Sequence, residues 1–327
     1  MDKDNKTKWH YYNHALIPNC SPYIEASVDE LRNKQLWKLG GGVLFARWTT
    51  DFDCGYETNW WYIVKDKPFN IASLKAKRRY EINKGIKNFE VKRIDPCEYK
   101  EELYRIQIAA FSVYPKKYRP TVDKKAFING IAAWKDCIVL GAFFRESYDL
   151  VGYVSLSKTD ENFINFNVLK SNPKYEKYAI NAALVEKIME YFEGFLVNGG
   201  TICDGERCIS HETKFQDYLE KYFGFRKAYC YLHIRYNPKI KWLIKLLYPI
   251  RDLLKNFDGI KIVHQINSVL KMEEICRIKS DKDIEKMEMQ EEKTGIEPYY
   301  FEGGKSKRQA DGTILITFGK KNRNKSR

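Results

Sequence analysis

Apolar and polar positions change period repeatedly along this chain, and the changes mark out its elements. Residues 44–50 and 60–64 are β-prone runs separated by the loop 51–58, which predicts a hairpin. A helix is predicted over 72–87, with Ser73 near its N-cap and Gly85 near its end. Its apolar positions are Leu74, Tyr80, Ile82 and Ile86, opposite a basic side that includes Arg78 and Arg79. Residues 89–94 alternate as a half-buried strand. Residues 99–114 carry Leu103, Ile106, Ile108, Ala110 and Phe111 at helical spacing, and 122–134 makes a second helix. Two apolar strands follow at 137–144 and 151–157, joined by a polar turn at 146–149, and 163–168 alternates. A long amphipathic helix over 178–195, a short strand at 201–204, a helix at 211–222 and a strand at 228–236 complete the block.

The flanks read differently. Gly40, Gly41 and Gly42 precede the first β-prone run; no helix start follows them, so they read as a turn rather than a phosphate cradle. Beyond Pro238, Ile240, Leu243, Ile244, Leu247, Ile250 and Leu254 form one side of a helical stretch, with Lys241, Lys245, Arg251 and Lys255 largely opposite. Pro249 should kink it, and a second helix covers 260–272. From 277 onward the chain turns charged and reads as poorly ordered, with 313–318 as one added strand. Four segments result: an aromatic, β-rich segment at 1–70 packing on a core at 71–238, basic amphipathic helices at 239–276, and a charged tail at 277–327.

Composition narrows the class. The chain has 327 residues, 44% of them apolar and 15% aromatic, enough for a substantial core. No apolar run of membrane-spanning length and no apolar signal region appear, so a cytoplasmic location is expected. Eight cysteines show neither a Cys-x-x-Cys pair nor zinc-ligand spacing, which predicts reduced thiols, no metal and no structural disulfide. The net charge of +14 suits an anionic partner: a nucleotide cofactor, tRNA or an anionic lipid surface. Residues 65–93 alone carry a net +7, and there Arg78 and Arg79 are candidate phosphate contacts.

The element order from 89 to 236 resembles the GNAT acyltransferase fold. The resemblance implies an α/β (α+β) architecture: a GNAT-like central mixed, mostly antiparallel sheet flanked by helices, with an N-terminal β-rich extension and C-terminal helices. It also implies direct transfer of an acyl group from acetyl-CoA or another acyl-CoA to an amine or hydroxyl. The cofactor pyrophosphate should then sit at the start of the long helix, reached through a splay beside the preceding strand. Val168, Leu169, Lys174, Lys177, Ala179, Ile180 and Asn181 are the implied cofactor-binding residues. The family pattern Arg/Gln-x-x-Gly-x-Gly/Ala falls on Glu176, Ala179 and Asn181, where the glutamate opposes an anionic cofactor.

The run Phe215 to Lys227 is similar to the family's Leu-Tyr-Glu-Lys-x-Gly-Phe ending, with Glu220 at the tyrosine position. Tyr218 and Tyr222, on either side, are candidates to protonate the departing thiolate. Among polar residues expected at the cleft (Glu161, Asn165, Asn167, Asp204, Glu206, His211 and Glu212), Asp204 is favoured over His211 as base. Asn165 and Asn167 are candidate substrate contacts. Residues 74–85 and the ending further resemble FemAB-like members, which act on cell-wall or surface-polysaccharide precursors. That implies a small-molecule or lipid-linked acceptor, and the basic kinked stretch from Ile240 to Lys255 is then expected to hold the chain peripherally at the inner membrane face. Two alternatives stay open: an aminoacyl-tRNA donor, and a non-catalytic GNAT-like scaffold that binds RNA.

Overall fold

The computed structural model describes residues 9–115, 119–209, 214–278, 305–308 and 314–317. It divides into two units, 1–278 and 279–327. In the first, β1 (Trp9–Tyr12) and β2 (Ala15–Pro18) form a hairpin, followed by β3 (Phe45–Thr50) and β4 (Trp60–Lys65). Helix α1 (Ala76–Asn88) leads into β5 (Phe89–Arg93), then α2 (Lys100–Ser112), α3 (Lys124–Ile131), β6 (Ile138–Phe144), β7 (Leu150–Asp160) and β8 (Phe163–Ser171). The rest of the unit is α4 (Ile180–Tyr191), α5 (Glu193–Val197), β9 (Thr201–Glu206), α6 (Lys214–Phe223), β10 (Arg226–Tyr236), α7 (Pro238–Leu247), α8 (Arg251–Lys255) and α9 (Lys261–Arg277).

One ten-stranded sheet runs in the order β1-β2-β3-β10-β4-β9-β8-β7-β6-β5. Its pairs are antiparallel except β2–β3 and β8–β9. The central strands are apolar on both faces because helices cover both. Along β6, Val139 and Phe143 join the cluster of Leu103 and Ile106 from α2 and Ile131 from α3. The intervening Leu140, Ala142 and Phe144 join the cluster of Ile82 from α1 and Ile180, Leu184 and Ile188 from α4. This strict two-residue alternation is what a continuous apolar run becomes in a strand buried on both sides. The expected mixed sheet flanked by helices is therefore present.

Several local expectations are corrected. β3 and β4 form no hairpin: β3 pairs antiparallel with Tyr231 to Tyr236, and β4 with Arg226 to Cys230. Both run antiparallel to β10, so they run parallel to each other, which a hairpin cannot do. Helix α1 starts later than expected, because Ser73 Oγ donates to the Asn70 carbonyl inside a separate short turn, Ile71–Ser73. Gly85 does not end the helix; it is buried within it. The long helix over 178–195 is three pieces: a 3-10 turn (Pro173–Tyr178), α4 and α5, with Ala179 left-handed between the first two. Among the C-terminal helices, α9 buries Met272 and Ile275 against Phe45, Trp60 and Leu232. A turn at Tyr248–Ile250, containing Pro249, separates α7 from α8.

In the second unit, β11 (Lys305–Arg308) pairs antiparallel with β12 (Ile314–Thr317), the strand expected at 313–318. The rest of the tail lies outside the described residues. No helix among the described residues is long and apolar enough to cross a membrane.

Candidate active site

The site begins where two parallel strands part. β8 and β9 pair only over Phe163–Ile164–Asn165 against Thr201–Ile202–Cys203. Beyond Asn165, β8 continues beside β7 alone, and among the described strands none pairs with its other edge. Backbone groups on that edge are thus available to an extended ligand. The β7–β8 register shifts there: Leu156 faces Phe166 and Ser155 faces Val168, leaving Asn167 as the bulged residue. β9 turns away through a bulge of its own. Cys203 faces Val64 and Gly205 faces Ile63, so Asp204 is the extra residue, followed by Gly205 at φ +118°.

A cleft of about 360 Å³ fills the fork. Phe166 to Ser171 of β8 form one wall, with Asp204 and Phe215 opposite. Ala110, Val113 and Tyr114 at the end of α2 also line it, as do Glu176 and Asn181 at the turn into α4. The Asp204 carboxyl is half-buried, and burial pushes its pKa up from 3.8 to about 7. A hydrogen bond from the Gln216 side chain opposes the shift, and Gln216 also donates to the Glu206 carbonyl at 3.1 Å. A carboxylate tuned to neutrality is suited to accept a proton at physiological pH.

The turn before α4 has the shape expected for a phosphate loop. Ala179 sits at φ 65°, ψ 43°, and no side chain caps α4, so the N–H groups of its first residues have no partner within the helix. Asn181 stands where the family pattern has glycine or alanine. Its Oδ1 accepts from Ser171 Oγ at 3.0 Å, which leaves the amide NH₂ as a donor at the second residue of the helix. Lys174, Glu176 and Lys177 are all on the turn, and all three are exposed. Lys170 adds a cation along the cleft wall, its Nζ donating to the Tyr114 hydroxyl at 3.4 Å and lying 4.9 Å from the Phe111 ring. These features fit a phosphorylated, extended donor such as acyl-CoA. Glu176 also lines the cleft, and its charge would oppose such a donor.

The expected site residues divide. Asn167, Val168, Leu169, Asn181 and Asp204 line the cleft together. Ala179 and Ile180 are buried beneath it. Asn165 lies at the last paired position of β8 and donates to Thr159 Oγ1. Tyr218 and Tyr222 do not line the cleft; they stack on each other at 4.8 Å, and Tyr218 also stacks on Phe215. The Tyr218 hydroxyl is buried without a hydrogen-bond partner, and burial, with Glu81 of α1 and Tyr222 adding, raises its pKa. Arg78 lies over the Tyr222 ring, and Arg79 donates to the carbonyls of Ala72 and Leu74 just ahead of α1. Glu206 pairs with Arg47. His211 and Glu212 lie outside the described residues.

Sequence reasoning missed Lys170, Tyr114 and Phe215. Lys170 sits two residues beyond Val168 on the same strand and was open to inference; Tyr114 arrives from a helix more than fifty residues earlier, with no local signal. Among the described residues no cluster of His, Cys, Asp and Glu forms a metal site.

No family model matches the chain, and no curated protein matches it. Solved structures do. L-PGS from Bacillus licheniformis is similar over 73% of this chain and 83% of its own, at 13% identity and a TM-score of 0.46. An acetyltransferase of the GNAT family from Staphylococcus aureus Mu50 is similar over 32% and 67%, at 16% identity and a TM-score of 0.27. An acetyltransferase from Thermus thermophilus is similar over 46% and 97%, at 11% identity and a TM-score of 0.34.

Proposed function

We propose that this protein is an acyltransferase that uses an acyl-CoA and delivers the acyl group to an amine or hydroxyl by direct attack. The observation that carries the reading is the fork between β8 and β9 with Asp204 at its base. The donor supplies the acyl group as a thioester. The open edge of β8 from Phe166 to Leu169 bonds its extended arm. The N–H groups at the start of α4, with Lys170, Lys174 and Lys177, hold its phosphates.

Asp204 takes the proton that the attacking amine or hydroxyl releases. The departing sulfur needs a proton in turn, and Tyr114, beside the Lys170 ammonium, is the phenol that lines the cleft. It takes the role that the resemblance gives to Tyr218 or Tyr222. No residue forms a covalent bond to the acyl group; the chain orients, excludes water and moves protons. A sugar-derived or peptide-like acceptor of the FemAB-like kind is the finer part of this proposal.

The test is thermal unfolding with and without acetyl-CoA, for the native chain and for Glu176→Gln. Ligand at about a hundred times its dissociation constant stabilises by about 2.7 kcal/mol. A rise in both proteins, larger in Glu176→Gln at a fixed subsaturating concentration, is expected. A rise confined to Glu176→Gln would mean that the cleft survives but this donor is excluded by charge. No rise in either protein would remove acetyl-CoA as donor and leave the aminoacyl-tRNA and RNA-scaffold readings, which filter binding of tRNA at two salt concentrations separates from no binding.

A further inference from the structure

The helices beyond the sheet carry apolar side chains that the fold does not bury. α9 uses Leu270, Met272 and Ile275 to cover the sheet, and Ile244 of α7 is buried. Yet Trp242 is 68% exposed, Leu246 57%, Leu253 58% and Ile262 68%, and Phe257 and Ile260 are exposed as well. These six fall within 21 residues. A monomeric soluble surface rarely gathers so many large apolar groups in one stretch.

This exposure does not come from a loosely attached segment. The Tyr248 ring is held between two guanidinium groups, Arg251 at 4.4 Å and Arg277 at 3.9 Å. Asn267 of α9 donates to the Leu254 carbonyl at 3.2 Å and to Asp258, and His264 pairs with Asp258 at 2.9 Å. The turn between α8 and α9 is therefore pinned from below while its apolar side chains face water. Of the side expected by periodicity, Ile240, Ile244, Leu247 and Leu254 are largely covered while Leu243 and Ile250 stay exposed, and Trp242 and Leu246, one turn apart on α7 and outside that side, are more open still.

Charge chooses the occupant. Lys241 and Lys245 repeat at the same four-residue interval immediately beside Trp242 and Leu246, and residues 238–263 carry a net +4. Apolar rings and leucines with adjoining lysines are the composition of a helix lying in a membrane interface: the apolar side enters the acyl boundary and the ammonium groups reach anionic headgroups. A second copy of this chain would set lysines against lysines, which like-charge repulsion disfavours. We propose that α7, α8 and the start of α9 form a docking surface for an anionic lipid bilayer. The surface binds the face of the membrane and does not span it.

The experiment is vesicle flotation of the full chain with phosphatidylcholine vesicles and with mixed phosphatidylcholine–phosphatidylglycerol vesicles, beside sedimentation of the protein alone. The native chain should float with the mixed vesicles and not with the neutral ones, and added salt should weaken it. Trp242→Ser/Leu246→Ser should lower the bound fraction about tenfold at unchanged melting temperature, since both side chains already face water. Lys241→Glu/Lys245→Glu should abolish the preference for anionic vesicles. Equal flotation with both vesicle types, or none, overturns the proposal. So does a dimer in solution that Trp242→Ser/Leu246→Ser dissociates. The readout is lipid binding, so it stands or falls apart from acyl transfer.

Discussion

Gly85 of α1 lies directly against Ala179, the residue that turns the chain into α4. A Cβ at Gly85 would stand 2.6 Å from the Ala179 carbonyl oxygen and 2.8 Å from the Ala183 nitrogen. α1 thus presses on the candidate phosphate loop only because residue 85 has no side chain. Gly85→Ala sets two effects against each other. Helix propensity favours alanine by about 1 kcal/mol, while overpacking costs about 1–3 kcal/mol. The atoms that would be struck are backbone and cannot swing away, so overpacking wins. The variant should melt lower and should lose most of its response to acetyl-CoA, because the loop must shift. An unchanged response with a lower melting temperature would separate α1 packing from the loop.

Ala179 itself is left-handed, at φ 65°. Such a backbone costs an L-residue about 1–2 kcal/mol, and glycine avoids that strain at an entropic cost of about 0.4–1 kcal/mol. Ala179→Gly should therefore leave stability equal or raise it by up to about 1 kcal/mol. Calorimetry would show it, and a clear fall in melting temperature would mean that the Ala179 methyl, buried in the α1–α4 cluster, contributes more than the strain removes.

Arg226 joins two segments that the sequence leaves far apart. Its guanidinium forms a bidentate pair with Asp53 at 2.6 Å and 2.6 Å, and bonds Asp66 through Nε at 2.9 Å. Asp53 follows β3 and Asp66 follows β4, so the start of β10 is fastened to both. The group is partly open to solvent, and screening limits its worth to about 1 kcal/mol. Arg226→Met should lose that much. Arg226→Lys should lose nearly as much, because an ammonium cannot reproduce the planar fork. A lysine variant that melts with the native chain would show that charge alone suffices.

Those contacts also show where sequence reading runs out. The order from β5 to β10 was legible because each element has its own period and its neighbours in the sheet are mostly its neighbours in sequence. The apparent hairpin at 44–64 was not, since the partner of both strands is β10, more than 160 residues later. The cleft wall Asn167, Val168 and Leu169 was legible from its place before the long helix. So was Asp204, although the bulge that directs it depends on register with β4. That Tyr218 and Tyr222 stay out of the cleft was not legible: Phe215, Tyr218 and Tyr222 share one side of α6 and stack in sequence, and Glu81 of α1, which no local pattern places there, lies near Tyr218.

Asp204 gives the pH dependence its sign. Its folded pKa, about 7, lies above its ordinary 3.8 because burial disfavours the charged form. Between those values the native state binds more protons than the unfolded chain. Stability therefore falls as pH rises from about 4 to about 7 and levels off above that. Catalysis runs the other way, since a base must be ionised to accept a proton, so turnover should climb with pH through about 7. Asp204→Asn separates the two. Relative to the native chain it should gain stability as pH rises across that window, because it carries no charge to bury. It should also lose about 10²–10⁴ in rate with any acceptor that a screen for release of the free CoA thiol identifies. Melting curves across that window need no acceptor and can be taken first. If native and Asp204→Asn curves stay parallel over that range, the carboxyl is not buried as described and its assignment as base fails with it.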